Sequence, residues 1–385
     1  MSAAPADVVV VGAGAAGGAA AFHLAHRGVR VVLLDRTAFP RPKPCGGGMA
    51  ASMQALFPFD LSPVVDAVID QVRFTWCLGD PVTAVLPGDA PFWIVRRSVL
   101  DAFLVEQATA AGASFQPGVS VERLQRAGPL WQLQARGPDG EPLQLQARAV
   151  VIADGSGSQL AARHGLGPAR PRFADTVSVE VDCAVSEPNT ARFEFGLVRH
   201  GFCWAFPRQG GYSIGVGTFI GRDPADANAV LTQLLPSLGL PADAGERRAG
   251  QLRIWDGHHP LHGQGDNAGL VVVGDAASLC DPFLAEGLRP ALISGCRAAE
   301  ALADWLAGDT QALAGYTSQM RAAWGDSMAW GKRIAQVFYR VPRVGYQLGI
   351  KRPTAPQRIA QILSGEMGYG DIAQRVIRRL LFQRS

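Results

Sequence analysis

A glycine-rich turn near the N-terminus decides most about the possible fold of this 385-residue chain. An apolar run, Asp7–Val11, leads into the segment GAGAAG, which contains Gly12, Gly14 and Gly17 and is followed by a small-residue helix and a second apolar strand ending at Asp35. In such a unit the first glycine makes the tight turn, the second lets the backbone approach a pyrophosphate, and the third packs the helix on the strand. The pattern predicts a dinucleotide site at the helix N-terminus, with Asp35 on a ribose hydroxyl.

A second pair of segments favours FAD over NAD. Gly274-Asp275 follows the apolar run Leu270–Val273, and Gly287-Leu288 stands at the start of a helix rich in Ala and Leu. An acid at a strand end can bind a ribityl or ribose hydroxyl, and a helix N-terminus can face the pyrimidine end of a flavin. One chain that carries both ends of such a site is expected to bind FAD.

Two shorter segments extend this pattern. Asp154 follows the buried strand Ala149–Ile152 within the segment ADGSGS, and Arg97 opens a helix in the segment RSVLD. A guanidinium at that position can neutralise pyrophosphate charge, although an ordinary surface arginine would have the same sequence signature.

The order of apolar and alternating segments predicts two interleaved domains, as the chain length also suggests. Buried parallel strands with helices place 1–50, 92–160 and 265–310 in a Rossmann-like FAD-binding domain of the α/β class. Alternating segments between residues 176 and 217 predict an antiparallel-sheet substrate domain formed by 51–91 and 161–264. Helical patterns place 311–385 in a helical C-terminal region.

In this order, GxGxxG, RxxxD, ADGxxS and GDAA resemble the motifs of flavoproteins similar to p-hydroxybenzoate hydroxylase. The segment Lys43–Gly48 (KPCGGG) is similar to the KxCGG loop of the geranylgeranyl reductase family, and Phe202–Pro207 (FCWAFP) is similar to that family's YxWxFP motif. The resemblance extends over roughly residues 7–300. It implies one FAD, electrons from NAD(P)H or ferredoxin, and reduction of isolated C=C bonds in the polyprenyl chain of a lipid, quinone or chlorophyll precursor.

The resemblance also assigns site residues. FAD contacts fall on Ala16, Asp35, Cys45, Gly46, Gly48, Arg97, Val121, Asp275, Gly287 and Leu288. Cys45 is the candidate catalytic residue, because a thiol beside the flavin can relay a proton; alternatively, it is a small residue that fits against the flavin ring. Phe202, Trp204 and Phe206 are candidate substrate-binding residues that line a slot for a prenyl chain, or else they pack the core of the second sheet.

The sequence departs from the family pattern at two positions. Phe202 replaces the motif's tyrosine, which removes a hydroxyl that could orient substrate or relay a proton, and Ala285 replaces the first glycine of a usual GEG. Two alternatives therefore stay open: a flavin-dependent monooxygenase or halogenase of an aromatic substrate, and a non-catalytic protein that binds FAD or a prenyl chain. A halogenase would be expected to carry a WxWxIP motif, which Phe202–Pro207 does not match.

Charge and cysteine usage bear on partners and location. The net charge of +3 gives no reason to expect nucleic acid, and the six cysteines form no CxxC pair, so no metal site is expected. Without a signal-peptide pattern or a spanning apolar stretch, a cytoplasmic protein is expected. From Gly331 to Ser385 eleven Lys/Arg stand against two Asp/Glu, and Ile372–Phe382 fits an amphipathic helix. This basic tail predicts peripheral contact with a membrane that holds a prenylated lipid, or a helix packed on the body. The oligomeric state is not predicted.

Overall fold

The computed structural model describes residues 4–88, 91–219, 226–352 and 354–382, with the backbone alone for 376–382. The strands of this part of the chain are, in order, β1 (Ala6–Val11), β2 (Val31–Asp35), β3 (Gly48–Ala50), β4 (Val65–Ile69), β5 (Gln71–Trp76), β6 (Gly79–Val85), β7 (Phe92–Val95), β8 (Ser114–Pro117), β9 (Ser120–Ala127), β10 (Leu130–Arg136), β11 (Pro142–Ile152), β12 (Arg172–Asp182), β13 (Thr190–Phe195), β14 (Gly201–Arg208), β15 (Gly211–Thr218), β16 (Arg248–Ile254) and β17 (Leu270–Val272). The α-helices are α1 (Ala15–His26), α2 (Arg97–Ala110), α3 (Leu160–Arg163), α4 (Ala227–Ser237), α5 (Leu288–Leu306), α6 (Ala312–Met320), α7 (Asp326–Arg340), α8 (Pro342–Gly349), α9 (Ala355–Ser364) and α10 (Tyr369–Phe382). Short 3-10 turns span Ala51–Leu56, Ser62–Val64, Gly265–Asn267 and Gly274–Ala277, and a π turn spans Arg321–Gly325.

The first sheet has the strand order β8-β2-β1-β11-β10-β9, with β17 beside the second half of β11. Its centre is parallel: β1 pairs with β2 on one side and with β11 on the other, and β17 extends the parallel part. The valines of β1 are almost fully buried, as is typical of a central strand in a parallel sheet. This sheet confirms the predicted Rossmann-like α/β class.

Helix α1 packs beside the first sheet and is buried along nearly its whole length. Small residues allow that position. A Cβ on Gly17 would lie 1.8 Å from the carbonyl oxygen of Gly12, and a Cβ on Gly295 would lie 2.3 Å from that of Ala16. The glycines therefore let α1 pack directly on the first turn and on α5, which fixes where the helix N-terminus points.

The second sheet has the strand order β16-β12-β15-β14-β13-β5-β6, and a small sheet of β3, β7 and β4 lies beside it. Its neighbouring strands are antiparallel, as predicted, with one difference: β5 and β13 pair in parallel, from Gln71 opposite Thr190 onward. The reason is topological, since β5 enters the sheet from a much earlier part of the chain and no hairpin turn sets its direction.

The C-terminal helices are fixed to both sheets by buried aromatic side chains that donate hydrogen bonds to the body. Tyr316 Oη donates to the Val272 carbonyl at 2.9 Å, and Tyr346 Oη donates to the Phe74 carbonyl at 3.2 Å. Tyr369 Oη donates to Asp281 Oδ2 at 2.7 Å. These hydrogen bonds hold the C-terminal helices against the two sheets.

The predicted tail helix is present as α10. The apolar face predicted for it depends on Val376, Leu380 and Leu381, and these side chains lie outside the described part. Among the described residues, no helix combines the length and the apolar character needed to cross a bilayer.

Candidate active site

The first turn of the chain forms one end of the candidate site. Gly12 adopts φ +101°, and a Cβ there would lie 2.3 Å from the Ala153 carbonyl oxygen, so a larger residue would not fit. Helix α1 begins at Ala15 with no side chain capping it and no acid in its first turn. Its first N–H groups are therefore open to a groove, which suits the negative charge of a pyrophosphate.

The groove beside this turn, here called the nucleotide groove, is lined among others by Gly12, Gly14, Asp35, Val121 and Asp154. Asp35 Oδ2 accepts a hydrogen bond from the Ala13 N–H at 2.9 Å, which fixes its carboxylate at the end of β2. Asp154 Oδ1 is buried and has no hydrogen-bond partner among the described residues. Burial also raises the pKa of Asp154. An unpaired buried oxygen in a groove of this shape fits the hydroxyls of a bound dinucleotide.

Arg97 closes the groove from the side of α2. Its guanidinium donates to both oxygens of Asp101, at 2.9 Å and 2.7 Å, and both side chains are buried. Burial opposes the charge of Arg97, but the charge and hydrogen bonds of Asp101 outweigh burial and raise its pKa. A Cβ on Gly14 would lie 3.5 Å from Arg97 Nη2. The predicted charge therefore stands at the helix N-terminus, and Asp101 holds it in place.

A second cavity, here called the aromatic cavity, continues from the groove. Gly14, Lys43, Pro44, Ala153 and Gly155 line both spaces, so the two meet along the first turn and the KPCGGG loop. An elongated ligand can thus extend from the end of β2 to the second sheet. The two connected spaces suit an FAD molecule, whose adenosine would lie in the nucleotide groove and whose flavin would lie in the aromatic cavity.

The KPCGGG loop lies directly on the second sheet. A Cβ on Gly46 would lie 3.0 Å from Phe206 and 3.1 Å from Trp204 Nε1. Gly47 adopts φ +80°, and a Cβ there would lie 2.1 Å from the Val95 carbonyl oxygen. The glycines thus bring Cys45 down to the aromatic residues of β14, although about 160 residues separate the two segments. Cys45 Sγ lines the cavity and accepts a hydrogen bond from the Gly47 N–H at 3.3 Å.

Phe202, Trp204 and Phe206 alternate along β14 and all line the aromatic cavity, on the face that the sequence predicted. Trp204 Nε1 is buried without a partner among the described residues. Trp204 has room because β15 carries Gly215 opposite it: a Cβ there would lie 2.1 Å from its ring. A glycine inside an alternating strand is a sequence signal of such a close approach, and the sequence analysis did not use it.

Two further rings of this wall were missed by the sequence analysis. Phe193 pairs with Trp204 across β13 and β14, and Phe219 lies with its ring centroid 4.8 Å from that of Phe202. Both line the cavity. Their position depends on strand register, which the sequence alone did not reveal.

The wall opposite is formed by the turn before α5. Ala285 adopts φ +56°, the left-handed region, at the position where the family pattern has glycine. An alanine there costs on the order of 1 kcal/mol more than glycine. Lys43 Nζ lies 3.6 Å from Asp275 Oδ2, so an ion pair connects this wall with the KPCGGG loop.

Glu286, in the same turn, was not predicted as a site residue. It lines the cavity and is 7% exposed. Arg289 donates to Glu286 Oε2, whereas Oε1 has no hydrogen-bond partner among the described residues. Burial raises the pKa of Glu286 to about 7, although the charge of Arg289 acts in the opposite direction. Only the fold shows that one oxygen of this buried carboxyl group has no partner among the described residues, so no local pattern could have found it.

The structure brings together nearly all the predicted site residues. Ala16, Cys45, Gly46, Gly48, Arg97, Asp275, Gly287, Leu288 and the three aromatic residues of β14 line the aromatic cavity, and Gly12, Asp35, Val121 and Asp154 line the groove. Gly14 lines both. Gly17, which was counted among the cofactor residues, lines neither, because its place is filled by the contact of α1 with the Gly12 backbone.

These features define an FAD-dependent oxidoreductase, and a family model described as FAD dependent oxidoreductase matches residues 7–47. The digeranylgeranylglycerophospholipid reductase 2 of Methanothermobacter thermautotrophicus is 30% identical over 313 residues, which cover 77% of this chain and 78% of that protein. The chain therefore belongs to the geranylgeranyl reductase family, as its KPCGGG and FCWAFP segments predicted.

Among the solved structures that share the fold are a reductase-like protein and a halogenating flavoenzyme. A geranylgeranyl bacteriochlorophyll reductase-like protein of Thermoplasma acidophilum superposes with a TM-score of 0.78 at 20% identity, covering 87% of this chain and 88% of that one. A flavin-dependent brominase superposes with a TM-score of 0.72, also at 20% identity, covering 98% of this chain and all of its own. At this identity both show a common fold and leave the substrate open.

Proposed function

We propose that the protein reduces isolated C=C bonds in the polyprenyl chain of a lipid. The observation that carries this proposal is the composition of the cavity wall contributed by the second sheet: Thr176, Phe193, Phe202, Trp204, Phe206, Phe219 and Leu252. None of these side chains is charged. Such a wall removes a hydrocarbon chain from water, which contributes about 0.8 kcal/mol for each buried CH₂ group.

The nucleotide groove and the aromatic cavity would together hold the cofactor and the substrate. The open N-terminus of α1, Arg97 and the acids Asp35 and Asp154 would hold the dinucleotide part of FAD, and Cys45, Gly46, Asp275 and Gly287 would surround its flavin. When bound there, FAD supplies a hydride to the substrate. The rings of β14 would exclude water from the reacting double bond and hold it against the KPCGGG loop. Cys45 Sγ stays the candidate for proton relay on that side.

Access to a membrane-held substrate is expected to involve the outer surface of α7 and α8, here called the α7–α8 face. Four apolar side chains are exposed there: Val337 by 69%, Val341 by 49%, Val344 by 51% and Leu348 by 55%. Exposed arginines lie near them: Arg340, Arg343 and Arg352. Apolar side chains with a basic surround are typical of surfaces that rest on anionic lipid headgroups.

The inner side of the same helices is close to the aromatic cavity. The Phe338 ring centroid is 5.4 Å from that of Phe195, which is 5.7 Å from that of Phe202 in the cavity wall. A protein seated on a bilayer through the α7–α8 face would thus hold its substrate wall only two aromatic rings behind the lipid contact. This contact would be the route by which the protein reaches a prenylated lipid.

The test uses the purified protein with bound FAD, reduced by dithionite under argon, so that the result does not depend on whether NAD(P)H or ferredoxin is the donor. A polyprenylated glycerolipid is added and the lipid is analysed by mass spectrometry. Paired hydrogens gained by the prenyl chain support the proposal. Products that form only with oxygen, and carry oxygen or halogen, would replace it with a monooxygenase or halogenase. Unchanged lipid with every donor would leave a binding protein.

A further inference from the structure

We propose that Lys43 stabilises the negative charge that FAD acquires on reduction, and so raises the reduction potential of the bound flavin. The effect requires FAD alone and does not depend on which compound the protein reduces. When a donor supplies an electron pair and one proton, the flavin forms one N–H bond at its N5 atom and keeps a negative charge on its pyrimidine ring. A cation in the surrounding wall favours this reduced form, because it attracts the charged ring more strongly than the neutral one.

Lys43 lies where the nucleotide groove meets the aromatic cavity, and it lines both spaces. Its side chain is 28% exposed, which leaves the ammonium group accessible to a bound ligand. The distance of 3.6 Å between Lys43 Nζ and Asp275 Oδ2 is longer than a hydrogen bond. The ion pair with Asp275 thus keeps the positive charge in the wall and leaves the N–H donors of Lys43 to the ligand.

The position of Asp275 puts this charge at the flavin end of the site. Asp275 lies beside the start of α5, because a Cβ on Gly287 would be 3.6 Å from Asp275 Oδ1. The same helix start is the feature that the sequence assigned to the pyrimidine end of the flavin. Lys43 is therefore expected to face the part of the ring on which the negative charge develops.

The charge of the pyrophosphate is met by other residues. A Cβ on Gly14, at the start of α1, would lie 3.5 Å from Arg97 Nη2 and 3.6 Å from Arg41 Nη2. Arg97 also lines the aromatic cavity, but its guanidinium is held by two hydrogen bonds to buried Asp101. Among the described residues that line this cavity, Lys43 is thus the cation left to act on the flavin ring.

The test is a spectroelectrochemical titration of the protein saturated with FAD, without any lipid, at one pH and ionic strength. Asp275 offsets part of the charge of Lys43, so the effect of its loss is expected to be moderate. At an effective dielectric constant of about 20, Lys43→Met should shift the reduction equilibrium about tenfold toward oxidised FAD. For a two-electron couple this corresponds to a midpoint potential about 30 mV lower.

Two further variants separate the charge from other effects of the substitution. Lys43→Arg keeps the positive charge and should keep most of the wild-type potential. Lys351→Met is the matched control, because it removes a lysine that is paired with Asp80 and lines neither the groove nor the cavity. Its potential should equal that of the wild-type protein.

Sulfite binding to oxidised FAD gives a second readout. Sulfite contributes its electron pair to a new S–N5 bond, and the pyrimidine ring takes up the negative charge, as it does on reduction. The Kd for sulfite, measured from the loss of the flavin absorbance band, should therefore rise about tenfold in Lys43→Met.

Unchanged potential and unchanged sulfite affinity in Lys43→Met would overturn the proposal. A variant that binds oxidised FAD much more weakly, yet has the wild-type potential when saturated, would overturn it as well and assign Lys43 to the pyrophosphate. Neither measurement uses a prenylated compound. A wild-type protein that leaves a polyprenylated lipid unreduced would thus refute the proposed function without changing the result for Lys43.

Discussion

Replacing Arg97 by methionine separates its structural role from its expected role toward FAD. Arg97 is 8% exposed and Asp101 is fully buried, with two hydrogen bonds between them. Removing one partner of a buried ion pair usually costs about 3–5 kcal/mol, because the other charge is left without compensation. Arg41 Nη1 lies 3.6 Å from Asp101 Oδ2 and can compensate in part. We therefore expect a loss near the lower end, about 3 kcal/mol.

The assay is urea unfolding of the FAD-free protein, followed by titration with FAD. The double variant Arg97→Met/Asp101→Leu removes both charges, so it should recover most of the lost free energy of unfolding. It should nevertheless bind FAD more weakly than wild type, because the positive charge beside the α1 N-terminus is gone. A single variant within about 1 kcal/mol of wild type would refute the buried-pair reasoning. A double variant with unchanged FAD affinity would refute the role of Arg97 toward the cofactor.

Two further predictions concern the cavity floor and the lipid contact. Gly215→Ala should destabilise the protein by about 1–3 kcal/mol in thermal unfolding, since its Cβ would lie 2.1 Å from the Trp204 ring; unchanged stability and unchanged tryptophan fluorescence would contradict the packing described. Val344→Asp combined with Leu348→Asp should abolish co-sedimentation with anionic vesicles, whereas Val85→Asp, at a residue 66% exposed on β6, should leave it intact. If the double variant and the Val85→Asp variant co-sediment equally well with the vesicles, the α7–α8 face does not contact lipid. If the face binds an acidic protein and not the vesicles, it is a protein interface.

The first βαβ unit could be predicted from the sequence because its signals are local. The apolar run of β1, the glycines of GAGAAG and the acid at the end of β2 lie within about thirty residues, and each has one structural purpose. The same holds for the alternation of Trp204 and Phe206, since strand periodicity alone puts them on one face.

The rest of the site depends on contacts between distant segments. Phe193 lies in the cavity wall only because of its register with β14. The parallel pairing of β5 with β13 could not be predicted, because no hairpin turn in the sequence connects the two strands. Glu286 is buried, with Oε1 left without a partner among the described residues, because of how α5 and the loop at Asp281 pack around it. Strand register, strand pairing and the surroundings of a buried side chain are tertiary properties, which a local sequence pattern does not determine.

Absorbance of the flavin during an anaerobic lipid addition tests the central claim most directly. The protein is reduced under argon, and either a polyprenylated glycerolipid or its fully saturated counterpart is added. If the aromatic cavity presents a double bond to the cofactor, the unsaturated lipid alone should restore the spectrum of oxidised flavin. Flavin that stays reduced with both lipids, or is reoxidised equally by both, would contradict polyprenyl reduction as the function of this protein.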